Sequence, residues 1–594
     1  MILTAMQQLS FAALFSAPFF AGVSAQTWCG KNYMSTQPVV PPGENFPLPA
    51  SSSDPLLAFR CAPAMRPYLE EDIYAPAGVL IDSPVVNYSI AGAEPINLPS
   101  GPLQSAGMLD VTVSLNGKTL ATGIVPLNSS AYELPFSLEN LTPQMMAYNL
   151  TCEASYSTHA ASASPQTYTT SAALSFLPNP TNSSVTKMDL RTGAILAKPA
   201  TGEDGDYAPV FPIGFYTNFG GYLASNLSLI NELKEQGFTI IHPIPTFDNM
   251  TALEEVLDRM QEVGLYLVYD MRLTYMNDTS VMEQVNSIKN RPNLLVWYTA
   301  DEPDGTSDPL NATSIAYDLI YSLDGYHPVS LVLNCQDYGW ASYTSGTDIV
   351  MQDAYMVSNN VTWSNEWQTV CTPDFGDCGC DNCLSIPAGS TTSVPPNSTL
   401  PGSTPTGFEG TVPANSGVGS YFDISSRISS FKNRLEVMGW ERTKAVWTVS
   451  QAFGGSEYWP RAPTGEEWVV QSIMGINQGA LGVVPWNDPT PADIKTSASQ
   501  FALALPSITP FFFNAAAIRS NFVVGGVDVA TWKVGLETLV LAANTYYTNA
   551  EVSWKDLGLI GLLPRTVFES GSSQMTADGF EFGSMGSGAF IVVG

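Results

Sequence analysis

An apolar stretch near the middle of the chain ends in two adjacent carboxylates followed by a proline. The stretch is LLVWYTADEP (Leu294–Pro303), and its last two acids are Asp301 and Glu302. Its β-branched and aromatic residues are typical of a buried strand. A carboxyl group that is shielded from water at the end of such a strand can hold a proton and transfer it to a substrate. The neighbouring elements decide whether these acids only cap a strand or belong to a catalytic site.

Polar side chains also close several other apolar runs between residues 207 and 488. If the runs are parallel strands, these side chains meet, because the C-terminal ends of parallel strands share one edge. The candidates are Asn218, His242, Asp270, Arg272, Asn334, Asp353, Gln451, Trp486, Asn487 and Asp488. Carboxylates and amides pair with sugar hydroxyls, and aromatic rings stack on sugar faces. The pattern therefore favours a carbohydrate substrate as the binding partner.

The elements that must position these residues alternate along the middle of the chain. Eight apolar β runs are nearly all followed by helical patterns, such as NMTALEEVLDRMQEVG (Asn249–Gly264) with its cap signal and final glycine. Continuously apolar strands are typical of a parallel sheet covered on both faces. Eight such units over roughly 300 residues predict a (β/α)8 TIM barrel at residues 200–508. An open doubly wound sheet is the alternative, but no glycine-rich phosphate turn follows the first strand.

Shorter segments with period-two alternation flank this region. They include MLDVTVSLNG (Met108–Gly117), and they predict an N-terminal β-sandwich domain at residues 27–190. Similar runs predict a C-terminal β-sandwich domain at residues 510–594. An insertion in the barrel, at about residues 358–420, is rich in cysteine and then in Ser, Thr and Pro. Its Cys371–Cys383 segment contains no histidine, which favours disulfides over a metal site.

The N-terminus predicts secretion. Residues 1–25 contain an apolar run that ends in a small-residue cleavage site, Val23-Ser24-Ala25, and they read as a signal peptide. Eight cysteines and eleven N-x-S/T sequons fit an extracellular glycoprotein with disulfide bonds. The segment Phe501–Ile518 contains two prolines and an asparagine, so we interpret it as a helix end running into a strand, not a membrane span.

The charge balance and the missing motifs exclude several other classes of protein. The 23 basic and 54 acidic residues give a net charge of −31, which argues against binding to nucleic acid or to an anionic membrane surface. The three histidines do not cluster, and no dinucleotide, phosphate-loop or serine-hydrolase motif is present. We therefore expect neither a metal nor a cofactor, and the sequence leaves the oligomeric state open.

The end of the fourth β run, aromatic-x-x-Asp-Glu-Pro, resembles the acid/base strand of TIM-barrel glycoside hydrolases. FPIGFYTNF (Phe211–Phe219) resembles the first strand of these enzymes, and MQDAY (Met351–Tyr355) resembles the sixth. Gln451–Asp488 resembles strands seven and eight of members that carry flanking β-sandwiches, and the likeness extends over roughly Pro209–Gly594. The resemblance implies a secreted enzyme that cleaves O-glycosidic bonds, with Glu302 as its general acid/base.

The chain departs from this family at the end of the seventh strand. The family carries its nucleophile there, whereas this chain has Gln451, which cannot attack an anomeric carbon. One possibility is that Asp301 orients a 2-acetamido group of the substrate, as in substrate-assisted N-acetylhexosaminidases. Another is that Asp353 supplies the second carboxylate. A third is a non-catalytic carbohydrate-binding or cell-surface protein on a degenerate barrel. The predicted substrate-binding residues are Asp270, Asn334, Gln451, Trp486, His242 and Asn218.

Overall fold

The computed structural model describes most of the chain from Thr27 to Val593. The described residues are 27–32, 46–99, 107–157, 165–181, 183–358, 363–364, 369–370, 391–393, 409–411, 421–455, 459, 461–559 and 563–593. The predicted signal peptide and most of the insertion at residues 358–420, with its four cysteines, lie outside the described residues. The predicted domain limits stay predictions.

The part of the chain before residue 210 consists mainly of antiparallel sheets around a core of their own. In its largest sheet, Met108–Leu115 lies between Lys118–Pro126 and Tyr148–Tyr156, and Gln166–Leu174 forms one edge. Every second residue of Met108–Leu115 is buried, because alternate side chains of a strand face opposite sides of the sheet. A disulfide joins Cys61 to Cys152 across two different sheets, so the layers are covalently linked through the core.

The other elements of this part are short. They are Thr27–Trp28, Lys31–Asn32, Ser51–Ala58, Arg60–Pro63, Met65–Arg66, Tyr68–Leu69, the 3₁₀ turn Glu70–Asp72, Ala77–Asp82, Val85–Tyr88, Ala93–Pro95, Tyr132–Phe136, Phe176–Leu177, Lys187–Asp189, Ala194–Ala197 and Ala208–Val210.

Eight parallel strands form one curled sheet in the middle of the chain. In chain order they are β1 (Tyr216–Asn218), β2 (Ile240–Ile244), β3 (Tyr266–Asp270), β4 (Leu294–Asp301), β5 (Val329–Leu333), β6 (Ile349–Gln352), β7 (Ala445–Thr448) and β8 (Trp486–Asp488). Their order in the sheet is β7-β6-β5-β4-β3-β2-β1-β8. Isolated parallel bridges also join Thr448 to Val483 and Gln451 to Trp486, next to the two edge strands. The mixed α/β class and the parallel sheet predicted from the continuously apolar runs are confirmed.

Helices follow the strands and cover the sheet. They are α1 (Ser228–Glu235), α2 (Met250–Val263), α3 (Asp278–Ile288), α4 (Ala312–Leu323), α5 (Trp340–Ser345), α6 (Phe422–Met438), α7 (Gly465–Asn477) and α8 (Ala492–Phe512), with a 3₁₀ turn at Leu223–Ser225. Local signals set several ends. The Asn249 side chain accepts a hydrogen bond from Ala252 N at the start of α2, and Gly264 ends that helix with a left-handed conformation. Among the described residues, no helix is both long and apolar enough to cross a membrane.

Two features of the helices go beyond what local sequence patterns favour. The short helix α5 lies between β5 and β6, where no helix was predicted. The helix α8 continues through Pro506 and Pro510 to Phe512, although prolines in a helix interior remove backbone hydrogen bonds. Its last turns bury Ile508, Phe511 and Phe512 in the core, and this burial outweighs the local preference to end the helix.

The C-terminal part is again antiparallel. Its larger sheet contains Ile518–Val524, Val527–Val534, Glu537–Asn544, Ser587–Val593 and Leu563–Ser570 in that order, and the smaller contains Ala550–Ser553, Gly579–Phe582 and Gln574–Met575. One continuous hydrophobic cluster includes Trp532 and Leu541 from the larger sheet together with Trp468 of α7 and Phe501 of α8. The short strands of the insertion are Trp363–Ser364, Thr369–Val370, Thr391–Ser393 and Glu409–Thr411.

A buried carboxylate joins the N-terminal part to the parallel sheet. Asp348, immediately before β6, accepts hydrogen bonds from Arg66 at 2.5 Å, from the hydroxyls of Tyr317 and Tyr321 at 2.9 and 3.0 Å, and from Val329 N at 2.9 Å. The Asp348 side chain is 1% exposed and the Arg66 side chain is 19% exposed. The surrounding donors therefore compensate the cost of burying this charge.

Replacing Asp348 by alanine should lower the free energy of unfolding by about 3–5 kcal/mol, because it leaves the Arg66 cation buried without its partner. A scanning-calorimetry profile of the intact protein would show the lower unfolding temperature. Glu71→Ala is the matched control, since it breaks an ion pair with Lys198 whose side chains are 37% and 43% exposed. That change should cost about 0–1 kcal/mol. Equal losses in the two variants would contradict the role given to Asp348.

Candidate active site

The predicted acids and amides converge at one edge of the parallel sheet. Asp270 ends β3, Asp301 ends β4, and Glu302 follows it. Asn334 and Asp353 come directly after β5 and β6. Because β3, β4, β5 and β6 are successive neighbours in the sheet, their C-terminal ends present these residues side by side.

The end of β4 is irregular, and this irregularity separates its two adjacent acids. The pairing of β4 with β5 shifts register between Tyr298 and Asp301, as at a β-bulge. Glu302 has a positive φ of 52°, which is uncommon for a residue other than glycine. Its backbone is fixed there, since Glu302 N donates to Val332 O and its carbonyl accepts from Gly305 N. The two carboxyl groups consequently have different sets of neighbours.

Glu302 belongs to a cluster with Asp353 and Asn334. The Glu302 and Asp353 carboxyl groups are hydrogen-bonded to each other, and the Asn334 side chain bonds to both, with 3.4 Å between its Nδ2 and Asp353 Oδ1. Asp353 is 2% exposed. Burial raises the pKa of both carboxyl groups. The Glu302 charge raises the pKa of Asp353 further, whereas the hydrogen bond with Asp353 opposes the rise at Glu302. The pair therefore holds a proton at a pH where free carboxyl groups have lost theirs.

A further acid, Asp304, was not singled out in the sequence. It is fully buried, and its two oxygens accept hydrogen bonds from the backbone N–H groups of Gly305, Asn334 and Cys335 at 2.9, 3.2 and 2.7 Å. These bonds tie the turn after Glu302 to the end of β5. Asp304 therefore fixes the backbone from which the Asn334 side chain extends. In the sequence, only its position two residues after Glu302, directly after Pro303, could have indicated that Asp304 belongs to this cluster.

Asp301 faces a different group, centred on Arg272. Arg272 Nη1 donates to Asp301 Oδ2 at 2.6 Å, and the same guanidinium binds Asp270 Oδ2 at 2.8 Å. The Tyr298 hydroxyl donates to Asp301 Oδ1 at 2.6 Å. Burial raises the pKa of Asp301, while Arg272 and Tyr298 oppose that rise. The Asp301 side chain remains 30% exposed, so its carboxyl group is accessible from the mouth of the site.

Aromatic rings surround the Arg272 guanidinium. Its carbon atom lies 5.0 Å from the ring centre of Trp486, 5.2 Å from that of Tyr216 and 5.3 Å from that of Tyr298. These distances fit cation–π contacts. His242 stacks beside Tyr216 with 4.0 Å between ring centres, and its Nε2 bonds Asp270 Oδ2 at 2.9 Å. Burial lowers the pKa of His242, so the ring is neutral and serves to orient Asp270.

The other predicted binding residues lie at the same edge in different environments. Trp486 is partly exposed, and Asn218 Oδ1 accepts a hydrogen bond from Asn487 at 3.3 Å. Gln451 is fully buried, and its amide bonds the backbone of Val357 and Phe453. These bonds occupy both ends of the Gln451 amide, so it braces the loop after β6. Its predicted contact with a substrate stays a prediction.

Some solved structures are distantly similar to the chain. No family model matches it, and no curated protein sequence matches it. Among solved structures, β-glucuronidase from Ruminococcus gnavus in complex with an N1-substituted uronic isofagomine is 11% identical at a TM-score of 0.28, covering 74% of this chain and 61% of that one. Bifidobacterium dentium β-glucuronidase complexed with coumarin-3-O-glucuronide is 13% identical at a TM-score of 0.31, covering 73% and 61%. Likenesses this weak identify neither a family nor an activity.

The residues that the structure describes contain no group of three or more His, Cys, Asp or Glu side chains suited to hold a metal ion.

The raised pKa values of Glu302, Asp353 and Asp304 make a prediction about stability. A carboxyl group whose pKa is higher in the folded than in the unfolded chain binds a proton on folding. It therefore adds stability at low pH and loses that contribution as the pH rises through its folded pKa. The unfolding temperature should be higher at about pH 5 than at about pH 8. The pH window of this effect begins at about pH 4, the pKa of carboxyl groups in the unfolded chain.

Asp353→Asn should reduce this difference between the two pH values, because it removes one member of the coupled pair. The matched control is Asp110→Asn, at an exposed aspartate of the N-terminal sheet. The net charge of −31 contributes a background pH dependence that both variants keep almost unchanged. If Asp353→Asn shows the same difference in unfolding temperature between the two pH values as the wild type, the raised pKa assigned to Asp353 is contradicted.

Proposed function

We propose that the protein is a secreted glycoside hydrolase that cleaves O-glycosidic bonds of a polysaccharide or glycoconjugate, with Glu302 as the proton donor. The observation that carries this proposal is the hydrogen-bonded carboxyl pair Glu302–Asp353 at the ends of β4 and β6. Glycoside hydrolysis needs a carboxylic acid that is still protonated near neutral pH, so that it can protonate the leaving oxygen. The raised pKa values of Glu302 and Asp353 support this role for the pair.

The proposal includes a closed (β/α)8 barrel. The order β7-β6-β5-β4-β3-β2-β1-β8 places β7 and β8 at opposite edges of the sheet. The parallel bridges from Thr448 to Val483 and from Gln451 to Trp486 support contact between those edges. On such a barrel the catalytic residues lie at the C-terminal ends of the strands, where Glu302, Asp353 and Asp301 are found.

We assign the second catalytic carboxylate to Asp301 and not to Asp353. Two-carboxylate glycosidases keep the two groups roughly 5 Å or more apart, which leaves room for the sugar or for a water molecule. Glu302 and Asp353 are in direct hydrogen-bond contact, so Asp353 is suited to hold the proton with Glu302. Asp301 is oriented by Arg272 and Tyr298 on the other side of the β4 end. In this position it can hold a 2-acetamido group or stabilise positive charge on the sugar.

Partly exposed aromatic rings beside the acids provide a surface for the sugar. Tyr355 lies two residues after Asp353, and its ring centre lies 4.9 Å from that of Phe453 and 6.0 Å from that of Trp459. Trp486 lies at the end of β8 on the Asp301 side. Aromatic faces of this kind stack on sugar rings, and Asn218 and Asn334 can pair with hydroxyl groups.

Two observations support the secreted part of the proposal. The disulfides Cys29–Cys335 and Cys61–Cys152 are compatible with an oxidising compartment. Eight of the eleven sequon asparagines lie among the described residues, and all eight are exposed, as attachment of a glycan requires. They are Asn87, Asn128, Asn140, Asn149, Asn226, Asn249, Asn277 and Asn311.

Glu302→Gln should reduce kcat by at least about 10²-fold on the true substrate, because the amide cannot donate the proton. The measurement is a screen of aryl glycosides and polysaccharides, followed by kinetics on the substrate that is cleaved. Glu466→Gln is the control, since Glu466 is exposed in the first turn of α7 and away from the carboxyl cluster. Wild-type activity in Glu302→Gln would refute the assignment.

The same screen separates the roles of the two aspartates. If Asp301 holds a 2-acetamido group, only substrates that carry this group are hydrolysed. Asp301→Asn should then lose the hydrolysis of these substrates. If wild type and Glu302→Gln bind a glycan equally and neither cleaves any member of the panel, the alternative of a non-catalytic carbohydrate-binding protein replaces the hydrolase. The absence of a carboxylate at Gln451 is the feature that favours this alternative.

A further inference from the structure

A hairpin from the start of the described chain lies at the active site. Thr27–Trp28 pairs with Lys31–Asn32, and the turn between them consists of Cys29 and Gly30. Both turn residues have positive φ values, 48° and 73°, as in the type I′ turn that suits two-residue hairpins. Cys29 forms a disulfide with Cys335, which follows Asn334 at the end of β5 and is 306 residues further along the chain. The tip of the hairpin is thus covalently tied to a strand that supplies the site.

The side chain of Trp28 makes two contacts in the site. Its indole Nε1 donates a hydrogen bond to Asn334 Oδ1 at 2.9 Å. Its ring also packs against Gly305, where a Cβ atom would come within 2.5 Å of the ring carbon Cζ2. Gly305 belongs to the turn that follows Glu302 and donates its N–H to Glu302 O. Trp28 therefore contacts the element that carries Glu302 and the amide that bonds to the Glu302–Asp353 pair.

The indole also decides which end of the Asn334 amide faces the acids. An indole N–H can only donate a hydrogen bond, so the group it contacts on Asn334 must be the amide oxygen. The amide NH2 group is then directed to the carboxyl pair, as its bond to Asp353 shows. An NH2 donor stabilises an ionised carboxyl group, whereas an amide oxygen in the same place would stabilise a protonated one.

We propose that Trp28 is a positioning residue of this site, which holds the Asn334 NH2 group toward Glu302 and Asp353 and is itself held by the Cys29–Cys335 disulfide. The importance of this role for catalysis rests on the proposed glycoside hydrolase function, but the positioning itself does not. The other charged or titratable groups around the pair are Asp301, Asp304, Arg272 and Tyr355.

The test is a titration of the carboxyl pair in the full chain, without substrate. Infrared difference spectra recorded against pH separate the protonated from the ionised carboxyl group, and Glu302→Gln and Asp353→Asn identify the bands of the pair. Trp28→Phe keeps an aromatic ring and removes the N–H donor, so the Asn334 amide can rotate. The midpoint of the pair should rise by about half a pH unit, as expected from the loss of one modest hydrogen bond.

Two further variants complete the experiment. Trp554→Phe is the matched control, because its indole N–H also donates to an acceptor, Ala577 O at 3.0 Å, but in the C-terminal sheets. Its midpoint should equal that of the wild type. The double change Cys29→Ser and Cys335→Ser removes the tether and leaves Cys61–Cys152 intact, and it should shift the midpoint in the same direction as Trp28→Phe.

An unchanged midpoint in Trp28→Phe would overturn the positioning role, and an unchanged midpoint in the double variant would overturn the role of the disulfide. The result is separable from the proposed function. A shifted midpoint in a protein that cleaves no glycoside supports the positioning and refutes the hydrolase. Hydrolysis with an unshifted midpoint refutes only the positioning. Where hydrolysis is found, the alkaline limb of the plot of kcat against pH should shift to higher pH in Trp28→Phe, together with the titration midpoint.

Discussion

Repulsion between carboxyl groups is the constraint around which the strand ends are organised. Asp270, Asp301, Glu302 and Asp353 lie at neighbouring strand ends, and Asp270 and Asp353 are buried, where like charges interact strongly. The chain removes the repulsion in two ways. A cation, Arg272, binds both Asp270 and Asp301, and the raised pKa values of Glu302 and Asp353 favour protonation within that pair. One part of the site therefore compensates its acids with a cation, and the other does so by favouring protonation.

This division depends on the irregular backbone at the end of β4. In a regular strand, consecutive residues point to opposite faces of the sheet, so one of the two acids would face the helices. The shifted register and the positive φ of Glu302 instead allow both to be used at the mouth of the sheet. Two residues that are adjacent in the chain thereby acquire different hydrogen-bond partners. Backbone bonds to Val332 and Gly305 hold the unusual conformation.

Much of this arrangement could be predicted from local sequence patterns. Continuous apolar runs identify parallel strands, and parallel strands bring the residues that follow them to one edge, which is why Asp270, Glu302, Asn334 and Asp353 could be grouped in advance. The direction of a side chain at a strand end could not be predicted in this way. Gln451 and Asn334 occupy comparable positions in the sequence, but the first bonds the backbone of Val357 and the second bonds the carboxyl pair.

Other features depend on contacts that no local pattern contains. The pairing of Cys29 with Cys335 could not be predicted, since eight cysteines allow many combinations, and the position of Trp28 follows from that pairing. The extension of α8 past two prolines is decided by the apolar surface that its last turns bury. In both cases the tertiary structure outweighs what the nearby residues favour.

The shared hydrophobic cluster of α7, α8 and the C-terminal sheet has a consequence for how this architecture can be divided. Trp532 and Leu541 of the sheet pack in the same core as Trp468 and Phe501 of the helices, and only five residues separate the end of α8 from the first C-terminal strand. A module joined to its neighbour in this way cannot be exchanged or deleted like a domain on a flexible linker. Recombination at this point would succeed only if the incoming sheet reproduced the apolar face that the helices require.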